Sequence, residues 1–188
     1  MTSTLGYALL GLLARGPLSG YDIAAQLRRG IGPFWHARHS QIYPELARLE
    51  ADGLVEYQVV EQHDRPAKKV YEVTGAGIDA LAEWVALPLE QATIRDELTL
   101  RAYSVWLANP ARAAALVREH ERLHRKRLAR YEEYRRDAER SPYVSDPQTP
   151  EFATYATLRR GIGYERELAE WCAWLAAELE HARDSIDD

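Results

Sequence analysis

The sequence predicts a mainly α fold in two parts: three helices, a β-hairpin and a fourth helix, then a second part that is helical throughout. Three observations predict it. Over the first 50 residues, Leu and Ile recur at three- and four-residue spacing in short segments punctuated by Gly and Pro. Strand-like alternation is confined to residues 55–74. Beyond Pro88 the chain is charged and helix-periodic, with one Pro-rich break. The expected domains are residues 1–87 and 88–188.

Leu5, Leu9, Leu12 and Leu13 give a first helix its apolar face, and Gly16-Pro17 ends it. Ser19-Gly20-Tyr21-Asp22 opens a second helix as a capping box: the Ser19 hydroxyl accepts a free backbone N–H, and Asp22 reaches back to the cap. Ile23 and Leu27 line its inner side; Gly30 and Gly32-Pro33 close it. A third helix covers residues 40–52 and stops at Gly53, read as a left-handed C-cap. At ~100° per residue, Ile42, Leu46 and Leu49 share one face, while Ser40, Gln41, Pro44, Ala47 and Arg48 share the other. Pro44 is expected near the first turn, where a missing N–H matters least. Residues 55–62 and 68–74 read as strands, through Tyr57 and Val59 in the first and Tyr71 and Val73 in the second, with the hairpin tip at residues 63–67. Thr74 caps a fourth helix striped by Ile78, Leu81, Ala82 and Val85.

In the second part, residues 95–107 are amphipathic. Asn109-Pro110 pairs an N-cap with a favoured first helical residue, starting a long charged helix to about residue 140. Residues 141–151, with Pro142, Pro147 and Pro150, form a connector, and Leu158, Ile162, Leu168, Cys172, Leu175 and Leu179 stripe the last helix. On the long helix Val117, Leu123 or His124, Leu128, Tyr131 and Tyr134 recur too irregularly for a regular coiled coil. Packing on the last helix and on a partner subunit is expected, with Val117, Leu128, Tyr131, Leu158, Ile162, Leu168, Cys172 and Leu175 as dimerisation residues.

Composition narrows the class. Apolar residues at 46% and charged residues at 28% permit a packed core and argue against wholesale disorder. The apolar run at residues 7–14 is too short to span a bilayer, no basic-then-apolar leader is visible, and one cysteine excludes an internal disulfide framework. A soluble cytoplasmic protein is the expectation. The net charge is −5, and residues 1–75 carry eight Lys and Arg against eight Asp and Glu. Any nucleic-acid contact must therefore rest on a local cluster and depend strongly on salt.

Helix, helix, helix, two-stranded wing, helix is the order of a winged helix-turn-helix. In that arrangement an apolar inner face holds the third helix while its outer face enters the major groove. Small and polar residues occupy that outer face here. Arg48 is long enough to reach a base edge or a phosphate, and Arg65, Lys68 and Lys69 lie on and beside the wing. One such domain reads only a few base pairs, so a second copy at fixed spacing is needed, which gives the helical C-terminal domain a dimerisation role.

Several motifs in order resemble the PadR family of bacterial transcriptional regulators: Leu18-Ser-Gly-Tyr-Asp-Ile23, Ser40-Gln-Ile-Tyr-Pro-Glu-Leu-Ala-Arg-Leu-Glu50 with Gly53-Leu54-Val55, Arg65-Pro66, and Lys69-Val-Tyr-Glu-Val-Thr74. Ile94-Arg-Asp-Glu-Leu-Thr-Leu100 and Leu158-Arg-Arg-Gly-Ile162 through Glu170-Trp171 resemble its long helical C-terminal domain of the virulence-regulator type. The resemblance implies a homodimer, an operator of two inverted half-sites and repression. Carried over by position, the DNA-contacting set is Tyr21, Ser40, Gln41, Tyr43, Pro44 and Arg48, with Arg65, Lys68 and Lys69 at the wing; Tyr21 and Tyr43 stand open between phosphate contact and core. Where members often carry Gly-Ser or Thr-Ser ahead of the Ile, this chain has His39-Ser40. In the family, aromatic-lined spaces admit small aromatic effectors. Of five tryptophans, more often core or interface anchors, Trp35, Trp84 and Trp106 are the candidates for such a role.

Two rival readings stand beside this one. The near-neutral charge of residues 1–75 also fits a winged-helix adaptor for protein partners. His120-Glu-Arg-Leu-His124 matches the H-E-x-x-H zinc-hydrolase pattern, but Arg118, Arg122, Arg125, Lys126 and Arg127 crowd it with positive charge and no third ligand follows. Neither catalysis nor a cofactor is expected.

Overall fold

The computed structural model describes residues 2–29, 39–61, 67–89 and 96–184, and the chain divides into two compact units, Met1–Gln91 and Ala92–Asp188. The fold is mainly helical with one small antiparallel sheet.

In the first unit, α1 (Thr4–Leu13) is capped by Ser3, whose hydroxyl accepts the Gly6 N–H at 3.0 Å. Gly16, at φ 144°, turns the chain into β1 (Leu18–Ser19). This strand was not expected, because two residues are too few to show alternation. Helix α2 (Gly20–Arg29) follows directly. As expected, the Ser19 hydroxyl accepts the Asp22 N–H at 3.2 Å and the Asp22 carboxylate reaches back to the cap, where it accepts the Ser19 hydroxyl at 2.6 Å. Ser19 already belongs to the sheet, opposite Val70. The closing glycines, Gly30 and Gly32, lie outside the described residues.

Helix α3 (His39–Ala51) buries Ile42, Leu46 and Leu49 to within 2% of complete burial against Leu9, Leu10, Leu13, Ile23 and Leu27. Pro44 lies deeper than expected. It is the sixth residue of the helix, past the first turn, so the Ser40 carbonyl loses its helical donor on the exposed face. Gly53, at φ 71°, ends α3 in a Schellman motif: its N–H reaches the Glu50 carbonyl and that of Leu54 reaches the Leu49 carbonyl, both at 2.9 Å.

Strands β2 (Val55–Val60) and β3 (Lys68–Val73) pair in antiparallel register, Val55 opposite Val73 and Val60 opposite Lys68, and the sheet order is β1-β3-β2. Among the described residues of the hairpin, Val55 and Tyr71 are buried, while Val59 and Val60 are exposed. The expected tip falls largely on residues 62–66, outside those described.

Helix α4 (Gly75–Ala86) starts at the expected cap. The Thr74 hydroxyl accepts the Gly77 N–H at 3.1 Å and donates to the Gly53 carbonyl at 2.8 Å. The expected stripe needs correction: Ile78 and Val85 are exposed, and Gly77, Ala80, Leu81 and Trp84 face inward. Gly77 packs so closely on Leu54 that any Cβ would collide with the Leu54 carbonyl. That contact sets the rotation of the helix and brings Trp84 into a parallel stack on Tyr7, with ring centroids 4.6 Å apart.

In the second unit, α5 (Glu97–Tyr103) is capped by Asp96, which accepts the Leu98 N–H at 2.9 Å, the Thr99 N–H at 3.2 Å and the Thr99 hydroxyl at 2.8 Å. These donors, the Thr99 hydroxyl foremost, hold the Asp96 carboxyl below its usual pKa. A 3₁₀ turn at Val105–Leu107 leads to α6 (Pro110–Ala138), with Asn109 as N-cap and Pro110 first, as expected. Helix α7 (Pro150–Asp184) packs along α6 as an antiparallel hairpin. Ala114, Val117, Cys172, Leu175, Ala176 and Leu179 form its core.

Of the eight expected dimerisation residues, Val117, Tyr131, Ile162, Leu168, Cys172 and Leu175 are already buried within this one hairpin, and Leu128 and Leu158 are half-buried. Their periodicity is accounted for by α6 packing on α7. Arg118 crosses the hairpin to Glu180 with two bonds of 2.9 and 2.6 Å, and Arg166 reaches Glu132 at 2.6 Å.

Two glycine substitutions separate close packing from helix propensity. Gly77→Ala should destabilise by about 1–3 kcal/mol through overpacking on Leu54. Gly11→Ala, with nothing within 4 Å of its added Cβ, should stabilise by about 0.5–1 kcal/mol. Urea unfolding midpoints of both variants check the opposite signs.

Candidate nucleic-acid interface

The buried stripe of α3 determines what the helix shows to solvent. Ser40, Gln41, Pro44, Ala47 and Arg48 are all exposed, as their spacing predicts. Tyr43 is 46% exposed and Tyr21 70%, so neither belongs to the core. The Tyr43 ring lies over Gly20, where a Cβ would come within 2.6 Å of Cε1. Glycine at the start of α2 thus seats a tyrosine of α3, a role that spacing alone could not reveal.

Arg48 extends outward with a 60% exposed side chain, and its Nη1 lies 3.5 Å from Glu45 Oε2. Glu45 itself is buried, and its Oε1 accepts the Ser3 hydroxyl at 2.6 Å. Sequence reasoning missed both Glu45 and Ser3, because 42 residues separate the pair. A shallow groove of about 540 Å³ runs between the start of α1 and the outer face of α3, lined by Ser3, Thr4, Leu5, Ser40, Gln41, Pro44 and Glu45.

At the wing the expected cations differ. Lys68 is exposed and available. Lys69 folds back instead, its ammonium 3.6 Å from the centroid of the Tyr57 ring; contact with the Tyr57 side chain raises its pKa. It buttresses the hairpin, on which Tyr57 also tilts against Tyr71 at 5.6 Å. Arg65 lies outside the described residues.

Trp35 lies outside the described residues, Trp84 is stacked on Tyr7, and Trp106 is 78% exposed. Within the second unit a groove of about 540 Å³ is lined by Leu98, Arg101, Val105, Arg112, Val117 and Leu175 among others, with no tryptophan among the described residues that line it.

The H-E-x-x-H pattern is engaged in packing. His124 Nδ1 lies 2.6 Å from the buried Glu165 carboxylate. Glu121 accepts from Arg118 at 2.8 Å and Arg125 at 2.7 Å, and those bonds hold its pKa down. Among the described residues no group of three His, Cys, Asp or Glu is placed to hold a metal ion. Nor is any described helix long and apolar enough to cross a membrane.

A helical domain whose third helix shows a polar outer face beside a two-stranded wing is a winged helix-turn-helix. Residues 9–83 match the "Transcriptional regulator PadR-like family", and residues 94–180 match "Virulence activator alpha C-term". The negative transcriptional regulator PadR of Bacillus subtilis is 32% identical, over 94% of this chain and 97% of its own length. A probable transcriptional regulator of Mycobacterium tuberculosis is 33% identical, over 95% of this chain and 99% of its own length. Among solved structures, B. subtilis PadR in complex with operator DNA superposes with a TM-score of 0.83 at 30% identity, covering 94% of this chain and 99% of that one. The Vibrio cholerae virulence activator AphA does so with a TM-score of 0.73 at 30% identity, covering 95% and 99%. The chain belongs to the PadR-like family of transcriptional regulators. Its relatives are regulators, not enzymes.

The His124–Glu165 contact should accordingly behave as a structural pair. Glu165→Ala should cost about 3 kcal/mol, because it leaves His124 buried without its partner. Tyr131→Phe, which removes a buried hydroxyl with no well-formed hydrogen bond among the described residues, should be neutral or mildly stabilising. Chemical denaturation of the two variants checks the contrast.

Proposed function

We propose that this protein is a repressor that binds an inverted-repeat operator as a homodimer, with Ser40, Gln41, Pro44 and Arg48 of each copy facing the bases. The observation that carries the reading is the outer face of α3. It is polar and exposed, and the buried Ile42, Leu46 and Leu49 lock it in rotation. Tyr21, Tyr43 and Lys68 flank that face and serve as phosphate contacts. Lys69 supports the wing, and Arg65 extends the wing contact. The family supports the same reading: the B. subtilis relative is named a negative regulator and was solved with operator DNA.

The second unit supplies the dimer face. Leu100, Tyr103, Trp106 and Leu107 are 69–85% exposed and Trp174 is 56% exposed, large apolar side chains left uncovered by the described residues of their own unit. These residues replace the buried hairpin stripe as the principal dimer contacts, with Leu128 and Leu158 beside them. A small aromatic effector releases the operator; the B. subtilis relative has been solved with p-coumaric acid. The regulator works in the cytoplasm, where the chromosome is.

The test is fluorescence anisotropy of the full chain with duplex DNA from upstream of its own gene, across a salt series. Wild type should bind tightly and lose affinity steeply with salt. Arg48→Ala should weaken binding to that duplex about tenfold while changing a scrambled duplex much less. Absence of binding even at low salt contradicts the reading.

A further inference from the structure

Glu45 is an acid on the very helix that faces DNA, where a carboxylate repels phosphates. Its side chain is only 9% exposed, so it cannot itself reach a base edge. Its two oxygens serve different partners. Oε1 accepts the hydroxyl of Ser3 at 2.6 Å, and the same Ser3 oxygen caps α1 by accepting the Gly6 N–H at 3.0 Å. Oε2 lies 3.5 Å from Nη1 of Arg48, three residues further along the outer face. The seat is shaped for the carboxylate: a Cβ at Gly6 would come within 2.7 Å of Oε1.

We propose that Glu45 is a positioning residue for sequence recognition: anchored to the α1 cap through Ser3, it holds the Arg48 guanidinium over the outer face of α3 in the orientation that reads a base. Two physical effects follow. A held arginine loses less rotamer freedom on docking than a free one, which favours the one geometry that matches a base edge. The buried carboxylate also offsets part of the guanidinium charge, which lowers attraction to phosphates of any sequence. Both effects raise the ratio of specific to non-specific affinity. The inference rests on Arg48 being a base contact.

The experiment measures that ratio for the full chain at one salt concentration, using the upstream duplex and a scrambled duplex of equal length. The proteins are wild type, Glu45→Gln, Arg48→Ala, the double variant, Ser3→Ala and Ser3→Thr. Glutamine still accepts from Ser3, so the fold is kept while the ion pair is lost. Glu45→Gln should lower the ratio about tenfold, partly by raising affinity for the scrambled duplex, and should add nothing once Arg48 is Ala. Ser3→Ala should follow Glu45→Gln and provides the readout if that variant is unstable; Ser3→Thr, which keeps the hydroxyl, should match wild type. The proposal is overturned if Arg48→Ala lowers the ratio but Glu45→Gln and Ser3→Ala do not, or if Glu45→Gln lowers it equally with and without Arg48. If Arg48→Ala itself leaves the ratio unchanged, the reading of Arg48 fails and the role of Glu45 falls with it.

Discussion

The burial of Ile42, Leu46 and Leu49 against α1 and α2 is the constraint on which the first unit depends. Each such side chain contributes about 1.5–3 kcal/mol on leaving water, and together they fix α3 in rotation. One register puts Ser40, Gln41, Pro44, Ala47 and Arg48 outward; a rotated helix would bury Arg48 and expose leucine. The C-terminal end of α3 is pinned just as firmly. Around Gly53 and Leu54, the Schellman motif stops the helix, the Thr74 N–H bonds the Leu54 carbonyl at 3.1 Å, and the Thr74 hydroxyl bonds that of Gly53. Gly77 packs on the same peptide. One corner therefore sets the end of α3, the root of the wing and the start of α4.

The second unit is held differently. Small residues at Ala114, Ala169, Cys172 and Ala176, each no more than 4% exposed, let α6 and α7 approach closely. Arginine–carboxylate pairs cross the hairpin outside that seam. Exposed pairs of this kind contribute little individually, so the seam carries most of the stability. The exposed Leu100, Tyr103, Trp106 and Leu107 stand outside that seam.

Signals that act over a few residues were legible in the sequence. The two faces of α3, the Gly53 stop, the Thr74 cap and the Asn109-Pro110 start each depend on spacing or on a local hydrogen bond. Features that depend on distant packing were not legible. Strand β1 exists because β3 lies beside it. The buried side of α4 follows from Gly77 meeting Leu54, not from where its largest apolar residues fall. The Ser3–Glu45 bond joins two helices that periodicity treats separately. Lys69 reads as a wing cation from its charge, but charge alone cannot show that its ammonium packs on the Tyr57 ring. The apolar stripes of α6 and α7 fit an intramolecular partner as well as an intermolecular one, and the intramolecular partner accounts for them.

In the proposed complex the outer face of α3 enters the groove, once per subunit. The chain's single cysteine, Cys172, is fully buried, so a cysteine introduced at exposed Ala47 provides the reactive thiol for an iron chelate that cuts nearby DNA. Bound to the upstream duplex, the Ala47→Cys conjugate should cut at two clusters separated by about one helical turn or a multiple of it. A conjugate at exposed Asp79 on α4 should leave those positions uncut. Cutting from Asp79→Cys at those positions, with none from Ala47→Cys, would place α4 in the groove and the outer face of α3 away from it.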